Sequence, residues 1–562
     1  MLNFNLYVVK IKIKNMKKFV TLIIMTITLL SCSDFLDIKP KDFTSPTNYY
    51  SNEDDLNHAI ATVYNTGLSM YTRYLSSQFP LGTDEGFFKS TSSTSSFDIM
   101  TYKNDAGAAD FTWVWQNLYK GIDRANEFLE YADQANCSDS IKTKLKGEAL
   151  FIRAYYHFVL ATYWGSVPMR LKSTKDLNSL NIPRTPEIEL YAQIVKDMKE
   201  SEAMVSDIDK LGYAERVTKS AVQGILARVC LFAAGRTGDK SYYTEARNSA
   251  LKVIKSGKHA LDASYQDVFI NLMQDKYNVK ESIFEVGFYG STYDNNYRCA
   301  VFPSYFGQRT SFPSSNSTNF IGTQGQYGKG LFSAVSSAYI LSTSYLYDAY
   351  ETGDLRREWT MLDYTYKSWN TLTIVPEKPN YKFRFVGKFR REYEINFPLY
   401  KWGNSTNWPL LRYSDVLLMY AEADNELNGP QTDAIEYVNM VRRRAFGVDP
   451  TVKNQTIDKT FTSKDELFTY LKDERLREFA FEAIRKMDLQ RWGIFYEQMK
   501  KMQTIIENTP ATDLVPAQSY WPGVPLAVQT YVNFDIRNVL YPIPLSEMSV
   551  NKALNNENNP GW

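Results

Sequence analysis

The feature that most constrains the fold is a succession of segments with helical periodicity, separated by short polar or glycine-containing turns. The segment 141–164 contains KGEALFIRAYYHFVLATYWG, which is apolar on nearly every face, so this helix is predicted to be buried. Two more segments, 218–234 and 242–256, are separated only by the turn at 235–238. Small residues in the first of them allow a partner helix to approach closely: Ala221, Gly224, Ala227 and Ala234.

Antiparallel helices with small contact residues and a short turn resemble a tetratricopeptide hairpin, although the spacing is not a strict 34-residue repeat. The chain of 562 residues is too long for one ordinary core, which leaves two to four domains or one large repeat-built body. We predict a mainly α fold, an irregular tetratricopeptide-like solenoid of helical hairpins with a large loop-rich insert that contains short strands. Further helices are predicted at 52–75, 113–134, 186–205, 412–427 and 432–446.

The character of the chain changes within the predicted body, 32–562. N-terminal helical repeats are expected over 50–262, an irregular aromatic-rich insert over 264–410, and C-terminal helices with an irregular tail over 411–562. Short strands are predicted in the insert at 282–288 and 381–385. A long irregular segment inside a helical body is usually functional or disordered, and its many aromatic residues argue against disorder. We therefore expect ligand-facing loops on a rigid helical support.

The N-terminal segment 1–31 reads as a signal peptide, with 1–15 as an upstream extension. The apolar run 19–30 is too short to span a bilayer of about 30 Å but suits a secretory signal. It ends in Leu-Leu-Ser-Cys at 29–32, which resembles the bacterial lipobox. In that reading Cys32 is lipidated and becomes the first residue of the mature chain, on the surface of a membrane. The alternative is an ordinary cleaved signal with a chance cysteine.

Several functional classes are disfavoured by composition and missing motifs. The 64 basic and 63 acidic residues give a formal net charge of +1, which argues against nucleic-acid binding. The four cysteines and three histidines are widely separated and form no zinc-binding or nucleophile motif. No cofactor is therefore predicted, and a structural cation is the one alternative. The adjacent acids Asp84 and Glu85 seldom provide the opposed carboxyls, about 5.5 Å apart, that retaining glycoside hydrolysis needs. A glycoside hydrolase is the weaker alternative.

The segment 472–493, KDERLREFAFEAIRKMDLQRWG, is predicted to form one amphipathic helix that ends at Gly493. Its charged pairs Asp473–Arg477 and Glu482–Lys486 have the spacing of solvent-facing i,i+4 pairs. The apolar stripe consists of Leu476, Phe479, Ala480, Ala483 and Met487.

This segment resembles a signature of the SusD/RagB family. Three further stretches match the same family in order: RAYYHFVLATYWGSVPM at 153–169, LLRYSDVLLMYAEADNEL at 410–427 and LYPIPLSEMSVNKALNNENNPGW at 540–562. The resemblance covers the whole mature chain. The chain departs from the family pattern at Ala483, where a glycine is usual, at Lys486, where an aromatic is usual, and at Lys552, where proline is usual.

The resemblance implies a cell-surface outer-membrane lipoprotein that binds oligosaccharide or polysaccharide without cleaving it. Such proteins cap a TonB-dependent, SusC-like transporter and pass glycan to it. One alternative keeps this fold and pairing but binds peptide or another non-glycan nutrient. Another is a purely structural partner that closes the transporter without touching substrate.

A sugar-binding site needs flat aromatic rings beside amide, carboxylate or guanidinium groups, because sugars present apolar CH faces and rims of hydroxyls. The chain has 40 Tyr, 32 Phe and 10 Trp to supply such rings. The family's sugar contacts vary among its members, so none is carried over. Core packing or plain surface exposure is the alternative at each candidate position. The candidates are Asp84, Phe88 and Tyr102 after the first helix, and Tyr289, Tyr293, Asn296, Arg298, Tyr327 and Trp369 in the insert.

Overall fold

The computed structural model confirms the mainly α fold. The chain divides into two compact units, Met1–Ser51 and Asn52–Trp562. Among the residues described, no helix is long and apolar enough to cross a membrane. The structure describes residues 49–88, 95–176, 178–289, 299–307, 320–321, 339–368, 371–376, 382–395, 399–400, 403–510 and 525–562.

The first half of the chain is built from long helices with side-chain caps. Asn52 accepts a hydrogen bond from the Asp55 amide at the start of the first helix, and Thr218 accepts one from the Ala221 amide later on. The elements in order are α1 Glu53–Leu68, β1 Gly86–Phe88, α2 Ala109–Tyr131, α3 Asp139–Trp164, β2 Val167–Pro168, β3 Arg184–Thr185, α4 Glu187–Met204, α5 Lys219–Thr237, α6 Ser241–Lys255 and α7 Tyr265–Met273.

The second half mixes short strands with helices. The prediction of an irregular C-terminal tail is wrong over much of the described part of that tail, because helices form at Phe495–Glu507, Pro525–Asn533 and Leu545–Val550. The predicted strand at 381–385 is also not found among its described residues, where Phe385 forms only an isolated bridge. The elements are β4 Ser282–Val286, β5 Phe320–Ile321, β6 Ile340–Ser342, α8 Ser344–Ala349, α9 Arg356–Thr360, β7 Tyr364–Ser368, β8 Thr371–Pro376, β9 Leu399–Tyr400, β10 Trp408–Arg412, α10 Tyr413–Asn428, α11 Thr432–Ala445, α12 Lys464–Phe479, α13 Arg485–Arg491, α14 Phe495–Glu507, α15 Pro525–Asn533 and α16 Leu545–Val550.

The long helices stack in chain order, as a hairpin solenoid requires. Each of α1 to α5 packs on the next helix in the chain, α10 then packs on α6, and α11 packs on α10. Tyr156 on α3 shows how close the first three helices come. A Cβ atom at Gly67 or Gly121 would lie 2.5 or 2.4 Å from its ring, and its hydroxyl accepts a hydrogen bond from the Gly67 amide at 3.1 Å.

The small residues of α5 do permit close packing, but at Gly224 the neighbour is a strand. A Cβ atom there would lie 2.3 Å from Leu411 Cδ2 on β10. Strand β10 pairs antiparallel with β4, the strand predicted from the sequence. This pair brings the start and the end of the insert back onto the helical body.

The segment 472–493 is two helices rather than the single helix predicted. The helical backbone stops at Phe479 and resumes at Arg485, with left-handed φ angles of 62° at Phe481 and 63° at Ala483 between them. The predicted solvent-facing charge pairs are also wrong. Glu482 is buried and accepts from Lys388 and Arg412 rather than pairing with Lys486.

Candidate functional site

The acidic pair chosen from the sequence is inside the protein. Asp84 is fully buried and accepts hydrogen bonds from Arg485 Nε at 2.8 Å and Nη2 at 2.7 Å, and from Gln498 Nε2 at 2.8 Å. Glu85 is 2% exposed, and its Oε2 accepts from the Phe481 amide at 3.1 Å. These carboxylates join β1 to the break between α12 and α13. The predicted contact of Asp84 with ligand is corrected, because its carboxylate is buried and bonded within the protein.

The aromatic candidates from the same loop are internal as well. Phe88 is 1% exposed and stacks on Phe97, with 4.7 Å between ring centroids. Tyr102 is also 1% exposed, and its hydroxyl donates to the Gly82 carbonyl at 2.6 Å. Both rings are committed to packing, which was the alternative to ligand contact.

Of the six candidates in the insert, only Tyr289 lies within the described residues. It is 91% exposed and stands at the edge of an open cleft. The remaining candidate positions lie outside the described residues: Cys32 for lipidation, and Tyr293, Asn296, Arg298, Tyr327 and Trp369 for ligand binding.

The cleft at Tyr289 has a volume of about 610 Å³ and is formed by four separate segments. One wall is α1, another is the turn before α5, and the remainder comes from the segment after α7 and the chain that leaves β4. We call it the acidic tyrosine cleft, after its rings and carboxylates. The side chains that define it are Tyr64, Tyr213, Tyr277, Tyr289, Glu215, Asp275, Glu285 and Arg216.

Tyrosine rings provide the apolar surface of the cleft. Tyr213 and Tyr277 lie with their centroids 6.1 Å apart and their planes tilted by 53°. Tyr277 is 47% exposed, and its hydroxyl donates to Glu215 Oε1 at 3.3 Å. Tilted, partly exposed rings beside a carboxylate can take the apolar face of a sugar and bind its hydroxyls at the ring's edge.

A single amide organises the carboxylates at the base of the cleft. Asn407 Nδ2 donates to Asp275 Oδ1 at 3.1 Å and to Glu285 Oε2 at 3.2 Å. Its Oδ1 accepts from the Phe288 amide at 3.1 Å, which fixes the chain just before Tyr289. Because Asn407 directly precedes β10, the β4–β10 pair holds the base of the cleft in place.

Burial shifts the protonation of these acids. It raises the pKa of Glu285 to about 7, and the negative charges of Glu215 and Asp275 add to the effect. It also raises the pKa of Glu215, again with a contribution from Asp275. Both acids therefore resist ionisation, because burial and like charges outweigh the hydrogen bonds that favour their charged forms.

Arg216 borders the cleft but is already paired. Its Nε and Nη2 donate to Glu148 Oε2 at 3.0 and 2.6 Å, and the Tyr64 hydroxyl donates to the same oxygen at 2.7 Å. The Tyr64 hydroxyl in turn accepts from the Val217 amide at 2.9 Å. This arrangement fixes the wall between α1 and the turn before α5.

Of the residues predicted from the sequence to bind ligand, Tyr289 lines the cleft, and its contact with a ligand stays a prediction; the other tyrosines of the cleft were not predicted. Tyr64 lies within a helix, while Tyr213 and Tyr277 follow different helices, so only the tertiary fold brings them together. The sequence contains only a local indication of the cleft, namely that Tyr289 directly follows the predicted strand at 282–288. Within the described part of the chain, no group of three or more His, Cys, Asp or Glu side chains is arranged to hold a metal ion.

The helical body thus carries an open cleft that is lined by tyrosine rings and acidic side chains. The family model described as "SusD family" matches residues 280–562, and a second, described as "Starch-binding associating with outer membrane", matches residues 34–231. The chain belongs to the SusD family, as its sequence motifs predict.

Two known relatives match over most of their length. SusD-like protein P25 of Formosa agariphila is 24% identical, over 97% of this chain and 98% of its own. The starch-binding protein SusD of Bacteroides thetaiotaomicron is 24% identical, over 79% of this chain and 77% of its own.

Solved structures share the fold. A SusD homologue from Bacteroides thetaiotaomicron superimposes with a TM-score of 0.78 at 23% identity, over 92% of this chain and 98% of its own. A laminarin-binding SusD-like protein gives a TM-score of 0.66 at 20% identity, over 91% of this chain and all of its own.

Proposed function

We propose that this protein captures oligosaccharide or polysaccharide at the cell surface and delivers it, uncleaved, to a partner TonB-dependent SusC-like transporter. The observation that carries the proposal is the acidic tyrosine cleft, an open and rigidly supported site in a chain of the SusD family. In this proposal a lipid on Cys32 anchors the protein to the outer membrane. The description of the second matching family model supports that location.

The shape and lining of the cleft suit reversible capture of a sugar. Rings and carboxylates from α1, the turn before α5 and the end of β4 face one open space of about 610 Å³. A shallow site of this kind holds its ligand at micromolar to millimolar Kd, or about −4 to −8 kcal/mol. Weak binding serves a protein that must release its cargo to a transporter.

The names of two relatives support glycan as the ligand class. One is a starch-binding protein and another is described as laminarin-binding, and both share this fold or family. The two glycans differ in linkage, which fits a family whose members adapt variable loops to different sugars. We therefore expect the side chains of this chain's own cleft to determine which glycan binds.

Affinity electrophoresis tests the proposal. The full chain should be retarded in native gels that contain a polysaccharide it binds, and prolonged incubation should release no shorter sugars. Tyr289→Ala and Tyr277→Ala should each weaken retardation about three- to tenfold, the worth of one stacked ring. Tyr242→Ala, a partly buried tyrosine of α6 outside the cleft, is the matched control and should migrate like the wild type.

Other outcomes would favour the alternatives. A chain that no polysaccharide retards, but that binds peptides, would be a SusD-family carrier of a non-glycan nutrient. Shortened sugars accumulating with purified protein would indicate a glycoside hydrolase. Normal glycan uptake by cells that carry both tyrosine variants would indicate a structural partner that closes the transporter without using this cleft.

A further inference from the structure

Acidic side chains outnumber basic ones among the lining residues of the acidic tyrosine cleft. Glu215, Asp275 and Glu285 all line it, and Arg216 is the one cationic side chain among its lining residues in the described part of the chain. Neutral sugars need hydrogen-bond acceptors, but amide oxygens would serve equally well. The excess of acidic over basic side chains therefore matters most for a ligand that itself carries charge.

Arg216 does not balance this charge. It donates twice to Glu148 Oε2, and the Glu148 side chain is fully buried. The positive charge of Arg216 therefore compensates the buried carboxylate of Glu148, which would destabilise the protein if it had no partner. Among the lining residues that the structure describes, an anionic ligand entering the cleft thus finds no uncommitted cation.

Gly287 leaves the space that the Glu215 carboxylate occupies. A Cβ atom on Gly287 would lie 2.0 Å from Glu215 Oε1, so any other residue at 287 would displace that carboxylate. Glycine here lets Glu215 come up against the chain leaving β4, beside the Tyr277 hydroxyl that donates to it at 3.3 Å. The acidic group is placed between two ring-bearing segments, where a sugar would lie.

We propose that the acidic tyrosine cleft selects glycan by charge, accepting sugar units that are neutral or carry an ammonium group and rejecting units that carry carboxylate or sulfate. This inference rests on the proposed function and names the substrate class of that same site. Two charges about 6 Å apart change affinity by between about threefold and a hundredfold, depending on how well water screens them.

The test compares polysaccharides that differ in charge, with the full chain in affinity gels. Neutral laminarin, cationic chitosan and anionic alginate serve as probes, together with laminarin oxidised to the carboxylate at C6. We expect retention by laminarin or chitosan, and at least about tenfold weaker retention by alginate and by oxidised laminarin. Alginate or oxidised laminarin as the best-retained probe would overturn the inference.

Charge-removing variants tie the selectivity to the cleft. Glu215→Gln with Asp275→Asn keeps the shape of the side chains and should strengthen retention by the anionic probes while weakening retention by chitosan. Gly287→Ala should act in the same direction, because it displaces Glu215 without removing a charge. Asp267→Asn, at an exposed position of α7 outside the cleft, is the control and should leave the ranking of probes unchanged.

The outcomes separate this inference from the proposed function. If a probe retains the protein but the variants do not alter the ranking, glycan capture stands and the charge selectivity of this cleft falls. If no probe in this panel or in a wider set of neutral and cationic glycans retains the wild type, both fall together. Asp275→Asn alone, at an exposed position, gives the same direction of change if the double variant does not fold.

Discussion

At the scale of single residues, the most unusual feature is a set of buried charges where α12 meets the insert. Glu478 is fully buried and accepts from Arg356 at 3.1 Å, Arg412 at 3.0 Å and Arg444 at 2.6 Å. Burial alone would raise the pKa of Glu478, but the three guanidinium groups outweigh it and hold the pKa well below its usual range. Such a network fixes relative positions, because breaking one member leaves the others buried without a partner.

At Glu85 the neighbouring cations do not compensate for burial. Burial raises its pKa to about 8, and the nearby charge of Asp84 adds to the effect. The unfolded chain loses this proton near the ordinary pKa of about 4.5, while the folded protein keeps it until about pH 8. The folded state therefore binds more protons across this window, and stability must fall as pH rises through it.

Glu85→Gln should remove that dependence. The amide oxygen still accepts from the Phe481 amide but cannot ionise, so the wild type should lose stability relative to the variant by a few kcal/mol between about pH 5 and pH 8. Urea unfolding at several pH values measures the difference. Glu189→Gln, at an exposed position of α4, is the control and should run parallel to the wild type. Parallel curves for wild type and Glu85→Gln would contradict the raised pKa.

At the scale of elements, the break between α12 and α13 decides where these charges lie. Its backbone amide at Phe481 donates to Glu85, and Glu482 turns inward to Lys388 and Arg412. In an unbroken helix, the Phe481 amide could not face β1 while the Glu482 carboxylate faces the insert. This break requires left-handed φ angles at Phe481 and Ala483, which are energetically unfavourable for residues other than glycine.

Ala483→Gly should stabilise the protein by up to about 1 kcal/mol, because glycine adopts a φ of 63° without steric strain. The SusD family usually has glycine at this position, so the variant restores the common residue. Ala480→Gly is the matched control: its φ is −50°, and the change should cost about 1 kcal/mol. Thermal unfolding measures the change in stability of both variants relative to the wild type. If both variants lose the same stability, the φ at Ala483 carries no strain.

The sequence indicates helices well because their signal is local, and it fails where distant groups decide. Periodicity and caps place α3 and α5 within a few residues of their observed bounds. Nothing local marks the break at Ala480–Ile484, since no glycine or proline occurs there and the partners Glu85 and Arg412 are remote in the chain. The acidic tyrosine cleft escaped prediction for the same reason: Tyr64 and Tyr277 meet only in the folded chain.

At the scale of the whole molecule, the C-terminal end closes onto the first helices. The Trp164 indole on α3 donates to the Pro542 carbonyl at 2.8 Å, and the Tyr541 amide donates to the Tyr163 carbonyl at 2.7 Å. Asn559 reinforces this junction, because its Nδ2 donates to the Trp164 carbonyl at 2.9 Å and to the Tyr541 carbonyl at 2.7 Å. The tail is therefore part of the N-terminal core rather than an appendage.

If this junction couples the two ends, weakening it should destabilise the whole unit of residues 52–562 at once. Asn559→Ala removes two buried hydrogen bonds that its Nδ2 donates and one that its Oδ1 accepts from Arg184, and it leaves two carbonyl groups without that donor, at a cost of about 2–3 kcal/mol. Calorimetry of the full chain should show the main unfolding transition moving to lower temperature as a single peak, because the helical repeats and the tail unfold together. Glu557→Ala, at an exposed position of the same tail, should leave that peak in place. A new, separate low-temperature peak in Asn559→Ala would mean instead that the tail unfolds independently, and that the solenoid holds its structure without it.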